Sequence, residues 1–199
     1  MKFVGLTGSI GMGKSATAGM FAVAGVPIYD ADAAVHSLYA RDGAAVGPVG
    51  KAFPDAIVGG AVDRAKLRDL VLPDPEALST LNNIVHPLVA KSQIDFRSSV
   101  LASEAKMAVL DIPLLFETGG DARVDYVAVV TAPPEIQRAR VLGREGMTEA
   151  AFEAILEKQV PDAQKRARAD FVISTAFGFE FARTHVQAII DVLSQTDED

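Results

Sequence analysis

The chain has 199 residues, 49% of them hydrophobic and 23% charged, which suits one globular domain with room for an insertion and not a disordered chain. It has no cysteine, which excludes disulfides, thiolate metal sites and a cysteine nucleophile, and suits a cytoplasmic protein. Its net charge of −7 argues against a nucleic-acid coat, and no apolar run reaches the ~18 residues that a membrane span needs.

In chain order, residues 2–7 form a short apolar run closed by glycine, which predicts a buried strand. Helix is expected over 14–24, strand over Val26 to Tyr29, and helix again over the Ala-rich 31–41. Asp63 and Asp74 read as N-caps of helices over 63–71 and 75–85, and His86-Pro87 predicts a break or a kink before helix resumes to about 103. Strands follow at 106–112, at Tyr126 to Thr131 and at Asp170 to Ser174. Pro134 starts a helix between the last two, and a final helix spans about 179–194.

Continuous apolar strands are buried on both faces. The expected fold is therefore α/β: three layers, a parallel five-stranded sheet with helices on both faces, and a helical insertion between the second and third strands. Ligands in such sheets sit at the carboxyl ends of the strands.

After the first strand stands Gly8-Ser9-Ile10-Gly11-Met12-Gly13-Lys14-Ser15, a full G-x-x-x-x-G-K-[ST] between strand and helix. Its glycines let backbone N–H groups turn inward on a phosphate. The helix N-terminus adds its positive dipole end, Lys14 meets the β/γ-phosphates, and the Ser15 hydroxyl is a Mg²⁺ ligand. The overlapping Gly11-x-Gly13-x-x-Ala16, with Asp30 or Asp32 downstream, is a weaker dinucleotide fingerprint. It gives Lys14 and Ser15 no work. The fourth strand ends Thr131-Ala132-Pro133-Pro134-Glu135, so the N-K-x-D of switch GTPases is missing there. Small-molecule kinases remain.

Asp30 and Asp32 follow the second strand, expected beside the loop. Asp32 is the choice for orienting or deprotonating an acceptor hydroxyl, with an N-cap as the competing role for either residue. Asp111, at a strand end, is a candidate Mg²⁺ carboxylate. Residues 1–29 carry +2 and 135–169 carry +1 in an otherwise acidic chain. The second stretch holds Arg138, Arg140 and Arg144, with 140 and 144 expected on one helix face and Gly143 and Gly146 as hinges. Such arginines close over phosphoryl oxygens, or else pair with Glu135 or Glu145 on the surface. His36 shares a helix face with Asp32 and is a candidate for the acceptor site. His86 reads as a packing or capping residue. Neither has metal-ligand spacing.

These strings together resemble the dephospho-coenzyme A kinase family over nearly the whole chain. The loop from Val4 to Ser15, Tyr29-Asp30-Ala31-Asp32 with His36, and Ile84-Val85-His86-Pro87-Leu88-Val89 each match its pattern. Leu110-Asp111-Ile112-Pro113-Leu114-Leu115-Phe116-Glu117 and Gln159 with Lys165 to Ile173 are the more specific matches. The resemblance implies transfer of a phosphoryl group from ATP, with Mg²⁺, to the ribose 3′-hydroxyl of dephospho-coenzyme A. It implies a core (1–59, 104–137, 166–199), a substrate-binding insertion (about 60–103) and a lid (about 138–165). ATP then falls to Gly8, Gly11, Met12, Gly13, Lys14, Ser15, Ala16, Arg140, Arg144 and Thr175. The acceptor falls to Asp32, His36, His86, Leu115 and Glu117, and the metal to Ser15 and Asp111. Lys14, Asp32 and Arg140 carry the chemistry.

Two positions depart from the family pattern: Ala16 replaces a Thr, and Ser174-Thr175 stands where an Asn is usual. They leave room for a P-loop binding protein without activity, and the fingerprint leaves room for a nicotinamide-dependent reductase.

Overall fold

The computed structural model describes residues 1–195. Two compact units divide the chain: Met1–Tyr29 with Ser103–Asp199, and Asp30–Ala102.

The first unit is built on β1 (Lys2–Thr7), β2 (Ile28–Asp30), β5 (Met107–Asp111), β6 (Tyr126–Thr131) and β7 (Phe171–Ser174). They form a five-stranded sheet in the order β2-β5-β1-β6-β7, with β1 parallel to β5 and β6, and β6 parallel to β7. The side-chain alternation of β6 shows why these strands are apolar throughout. Ala128 and Val130 join one core with Phe21, Ala182, Val186 and Ile189, from α1 (Lys14–Val23) and α9 (Phe179–Gln195). Val127 and Val129 join another with Leu115 and Phe116 on the opposite face.

Strand order decides between the two readings of the glycine-rich loop. A dinucleotide-binding sheet sets the second strand directly beside the first. Here β5 stands between β1 and β2, and β2 lies at the sheet edge. The dinucleotide reading fails on topology, and so does the expectation that the second strand lies next to the loop strand.

The second unit starts at Asp30, earlier than the boundary near 60 expected from sequence. It comprises α2 (Ala31–Tyr39), α3 (Val46–Ala52), β3 (Ile57–Val58), β4 (Ala61–Val62), α4 (Arg64–Val71) and α5 (Pro75–Leu101). Tyr39, Val49, Val62, Leu67, Val71 and Val85 form its core, so residues 30–59 pack with the insertion. Gly59 and Gly60, at φ 58° and 82°, turn the antiparallel β3–β4 hairpin, a conformation only glycine adopts freely at both places. Asp63 and Asp74 cap α4 and α5 as expected.

Of the break or kink expected at His86-Pro87, the break does not occur. α5 runs 27 residues through Pro87. Proline removes one intrahelical hydrogen bond. Val85 in the core, with Ile84, Leu88 and Val89 packed on it, holds the helix across that gap.

Candidate active site

The loop after β1 leads into α1, which, like α3, α6 (Pro134–Leu142) and α8 (Asp162–Ala167), starts without a side-chain cap but, unlike them, starts at the end of the glycine-rich loop. α2, α4, α5 and α7 (Glu149–Leu156) are capped by Asp30, Asp63, Asp74 and Thr148 side chains. The cap position of α1 is Gly13, at φ 94°, with no side-chain acceptor and no acid in the first turn. The first N–H groups of α1 therefore converge with the dipole on a place suited to an anion. Asp30 is thus an N-cap, accepting from the Ala33 N–H at 2.9 Å. That leaves Asp32, exposed in the first turn of α2, as the uncommitted carboxylate of the pair. His36 is exposed on the same helix. His86 is exposed on α5, so the packing role expected for it is not what the fold gives.

Lys14 opens α1 and its Nζ lies 2.5 Å from Asp111 Oδ1. Asp111 ends β5 and is 4% exposed. Ser15, next to Lys14, is exposed. Among the described residues no three His, Asp or Glu side chains gather at metal-binding distance. A Mg²⁺ in a kinase needs only one or two carboxylates or hydroxyls, because phosphates and water fill its sphere. The donors present, the Ser15 hydroxyl and the Asp111 carboxylate, are hard oxygens of that kind.

The other side of the loop is held by Arg140 and Thr175. Arg140 lies on α6 (Pro134–Leu142), and Thr175 follows β7. The Thr175 hydroxyl donates to Met12 O at 2.8 Å and accepts from Arg140 Nη1 at 2.8 Å. Arg140 Nη2 also donates to Thr175 O at 2.8 Å. Beside this knot opens a cavity of about 250 Å³, lined by Gly13, Ala16, Thr17, Met20, Arg140, Thr175 and Phe179 among others. The two departures from the family pattern, Ala16 and Thr175, thus face one cavity.

Several expected site residues are employed elsewhere. Leu115 is completely buried in the core beneath β1, with no side-chain surface for a substrate. Glu117 pairs with the fully buried Lys165 on α8 (Asp162–Ala167), 2.8 Å away, and accepts from the Val160 N–H at 2.8 Å. Burial pushes the Glu117 carboxyl up, but hydrogen bonds from Lys165 and two backbone N–H groups, with the Lys165 charge, outweigh it and hold it below its ordinary value. One of its oxygens, Oε1, is thus committed to a buried ion pair that the sequence did not announce. The Met12 side chain is buried, its sulfur accepting from Ala132 N, so only the Met12 backbone serves the loop. α6 ends at Leu142, so Arg144 stands beyond it and shares no helix face with Arg140. Arg138 pairs with Glu149 on α7, a partner the sequence reading did not consider.

Sequence reasoning missed Gln137. It is 6% exposed on α6 and donates through Nε2 to the loop carbonyl of Ile10 at 2.7 Å. The one signal was its place one turn before the buried Val141, which puts it on the inward face of α6.

A phosphate loop after the central strand of a sheet in this order defines a P-loop kinase fold. A family model described as dephospho-CoA kinase matches residues 2–178. The dephospho-CoA kinase of Mesorhizobium japonicum is 58% identical over 193 residues, covering 97% of each chain. That of Cereibacter sphaeroides is 55% identical, covering 97% of this chain and 96% of its own. A Thermus thermophilus crystal structure superposes with a TM-score of 0.81 at 34% identity, covering 98% and 97%. The chain belongs to the dephospho-CoA kinase family and is an ATP-dependent kinase. No helix among the described residues is long and apolar enough to cross a membrane.

Proposed function

We propose that this protein transfers the γ-phosphoryl group of ATP to the ribose 3′-hydroxyl of dephospho-coenzyme A, in the cytoplasm, as the last step of coenzyme A synthesis. The observation that carries the reading is the uncapped α1 start with Lys14 waiting on Asp111, in a chain that matches this family along nearly its whole length.

ATP phosphates take the N–H groups from Gly11 to Ala16, and Lys14 exchanges Asp111 for β/γ-phosphate oxygens. The nucleotide base enters the cavity beside Thr175 and Ala16. Ser15, with Asp111 behind it, would hold Mg²⁺, which would supply neutralisation of phosphate charge. Arg140, with Arg144 on the segment of about 138–165 acting as a lid, screens the charge on the transferring group and excludes water. Asp32 orients the acceptor hydroxyl and takes its proton, while His36 and His86 contact the acceptor.

The test couples ADP release to a readout with ATP and dephospho-coenzyme A as substrates. Turnover that depends on both supports the reading; none above a Lys14→Ala control overturns it. Tight ATP binding without acceptor-dependent turnover would instead favour a binding protein.

A further inference from the structure

Both backbone polar groups of Ile10, in the middle of the phosphate loop, are taken by side-chain amides. Its N–H donates to Gln159 Oε1 at 3.1 Å, and its C=O accepts from Gln137 Nε2 at 2.7 Å. The chemistry fixes both amide orientations: an N–H can meet only the oxygen of a glutamine, and a carbonyl only its NH₂. A phosphate loop needs such help. Its N–H groups point toward one another's space and repel when no anion is bound, and its glycines are free to collapse.

We propose that Gln137 and Gln159 are positioning residues which hold the Ile10 peptide groups in the ATP-ready shape before nucleotide arrives. The two come from different elements, α6 and the turn before α8, so the loop is gripped from two sides. Each grip is itself fixed. Gln137 is almost fully buried, and its backbone oxygen lies 3.0 Å from where a Cβ on Gly11 would stand, so α6 is seated tightly on the loop. Gln159 is anchored by its neighbour: the Val160 N–H donates to Glu117, which pairs with Lys165. The buried ion pair thus acts on the ATP loop through Gln159, without touching ATP. Loop order secured beforehand is order that ATP need not impose, so the device favours binding and leaves the chemical step alone.

The proposal rests on Gly8 to Ser15 being the ATP loop. Its test uses the full chain with four variants. In the ATP-free protein, Ile10 amide exchange followed by NMR rises about tenfold in Gln159→Met, the scale of one lost neutral hydrogen bond. It stays near the wild-type rate in Gln159→Glu, which keeps the acceptor. Gln137→Met and Gln137→Glu both shift the Ile10 carbonyl resonance, since neither can donate there. In turnover, each Met variant raises KM for ATP about fivefold to tenfold with kcat and KM for the acceptor nearly unchanged. Ile10 exchange unmoved in Gln159→Met, or equally fast in Gln159→Glu, overturns the proposal. So does a parallel rise of both KM values. The exchange arm needs no activity, so failure of the kinase reading shows separately, as wild-type protein that does not turn over.

Discussion

Lys165 Nζ lies 2.8 Å from Glu117 Oε1, and the lysine side chain is wholly buried. This pair joins the two most family-specific strings, the one ending at Glu117 and the one beginning at Lys165. Arg168 adds a second link over the Phe116 ring, 4.3 Å from its centroid. Breaking a buried pair from one side leaves an uncompensated charge and costs about 3–5 kcal/mol. Glu117→Gln and Lys165→Met are each expected to lose that much in urea unfolding, and the double variant far less than their sum. Additive losses would mean that the pair carries no coupling. The pH dependence has a definite sign. The Glu117 pKa is lowered in the folded protein, so its contribution is complete above the unfolded carboxylate value, about 4.3, and disappears as pH falls through the lower folded value. Glu117→Gln removes that acid-side slope.

The loop and the sheet could be read from sequence because their signals are local. Gly8 to Ser15 is one contiguous string, and the run Tyr126 to Thr131 has a single strand-like reading. Asp63 and Asp74 announced their helices by the same local logic. What escaped were residues whose role depends on a distant partner. Glu117 looked like a site carboxylate until Lys165, 48 positions later, took it. Leu115 was expected at the acceptor because it lies within a family-like string, yet this side chain fills core. Gln137 carries no motif and Gln159 stood in a family string without a role, and only the fold brings both to Ile10. Pro87 was read by its local rule, which packing around Val85 overrode.

Gly11 sits at φ 78°, and a Cβ there would stand 2.5 Å from Val141 Cγ2 and 3.0 Å from Gln137 O. The left-handed conformation alone costs an L-residue about 1–2 kcal/mol, and α6 cannot retreat without losing Gln137. Gly11→Ala should lower Tm by several degrees, at about 2–4 °C per kcal/mol for a chain this long, and weaken ATP binding. Gly146→Ala is the control: its φ of 73° carries similar strain, but open space surrounds the new methyl. It should cost less stability and keep ATP binding. Equal effects in calorimetry would reject the contact argument.

Thr175 bonds Met12 O and Arg140 with one hydroxyl. Thr175→Val keeps shape and removes only that oxygen. Arg140 retains its bond to Thr175 O, so the guanidinium loosens without departing. The expected result is about a tenfold higher KM for ATP, near the value of one or two lost hydrogen bonds, with stability changed by about 1–2 kcal/mol. Unchanged ATP affinity would make Thr175 a bystander to the nucleotide.

Asp32 and Asp30 separate cleanly in a paired experiment. Asp30 Oδ1 accepts from Ala33 N as the cap of α2, so Asp30→Ala should cost stability of about 1 kcal/mol. Asp32 is exposed in the first turn of the same helix, and no side-chain hydrogen bond of α2 depends on it among the described residues. Asp32→Asn should therefore leave folding intact. If it activates the acceptor hydroxyl, the amide cannot take the proton, and kcat falls about 10²–10⁴-fold while ATP affinity holds. Raising pH should not rescue the variant, since the missing group is the base and not its ionisation. Wild-type kcat in Asp32→Asn would remove Asp32 from the chemistry and leave the acceptor proton to solvent or to phosphate oxygens.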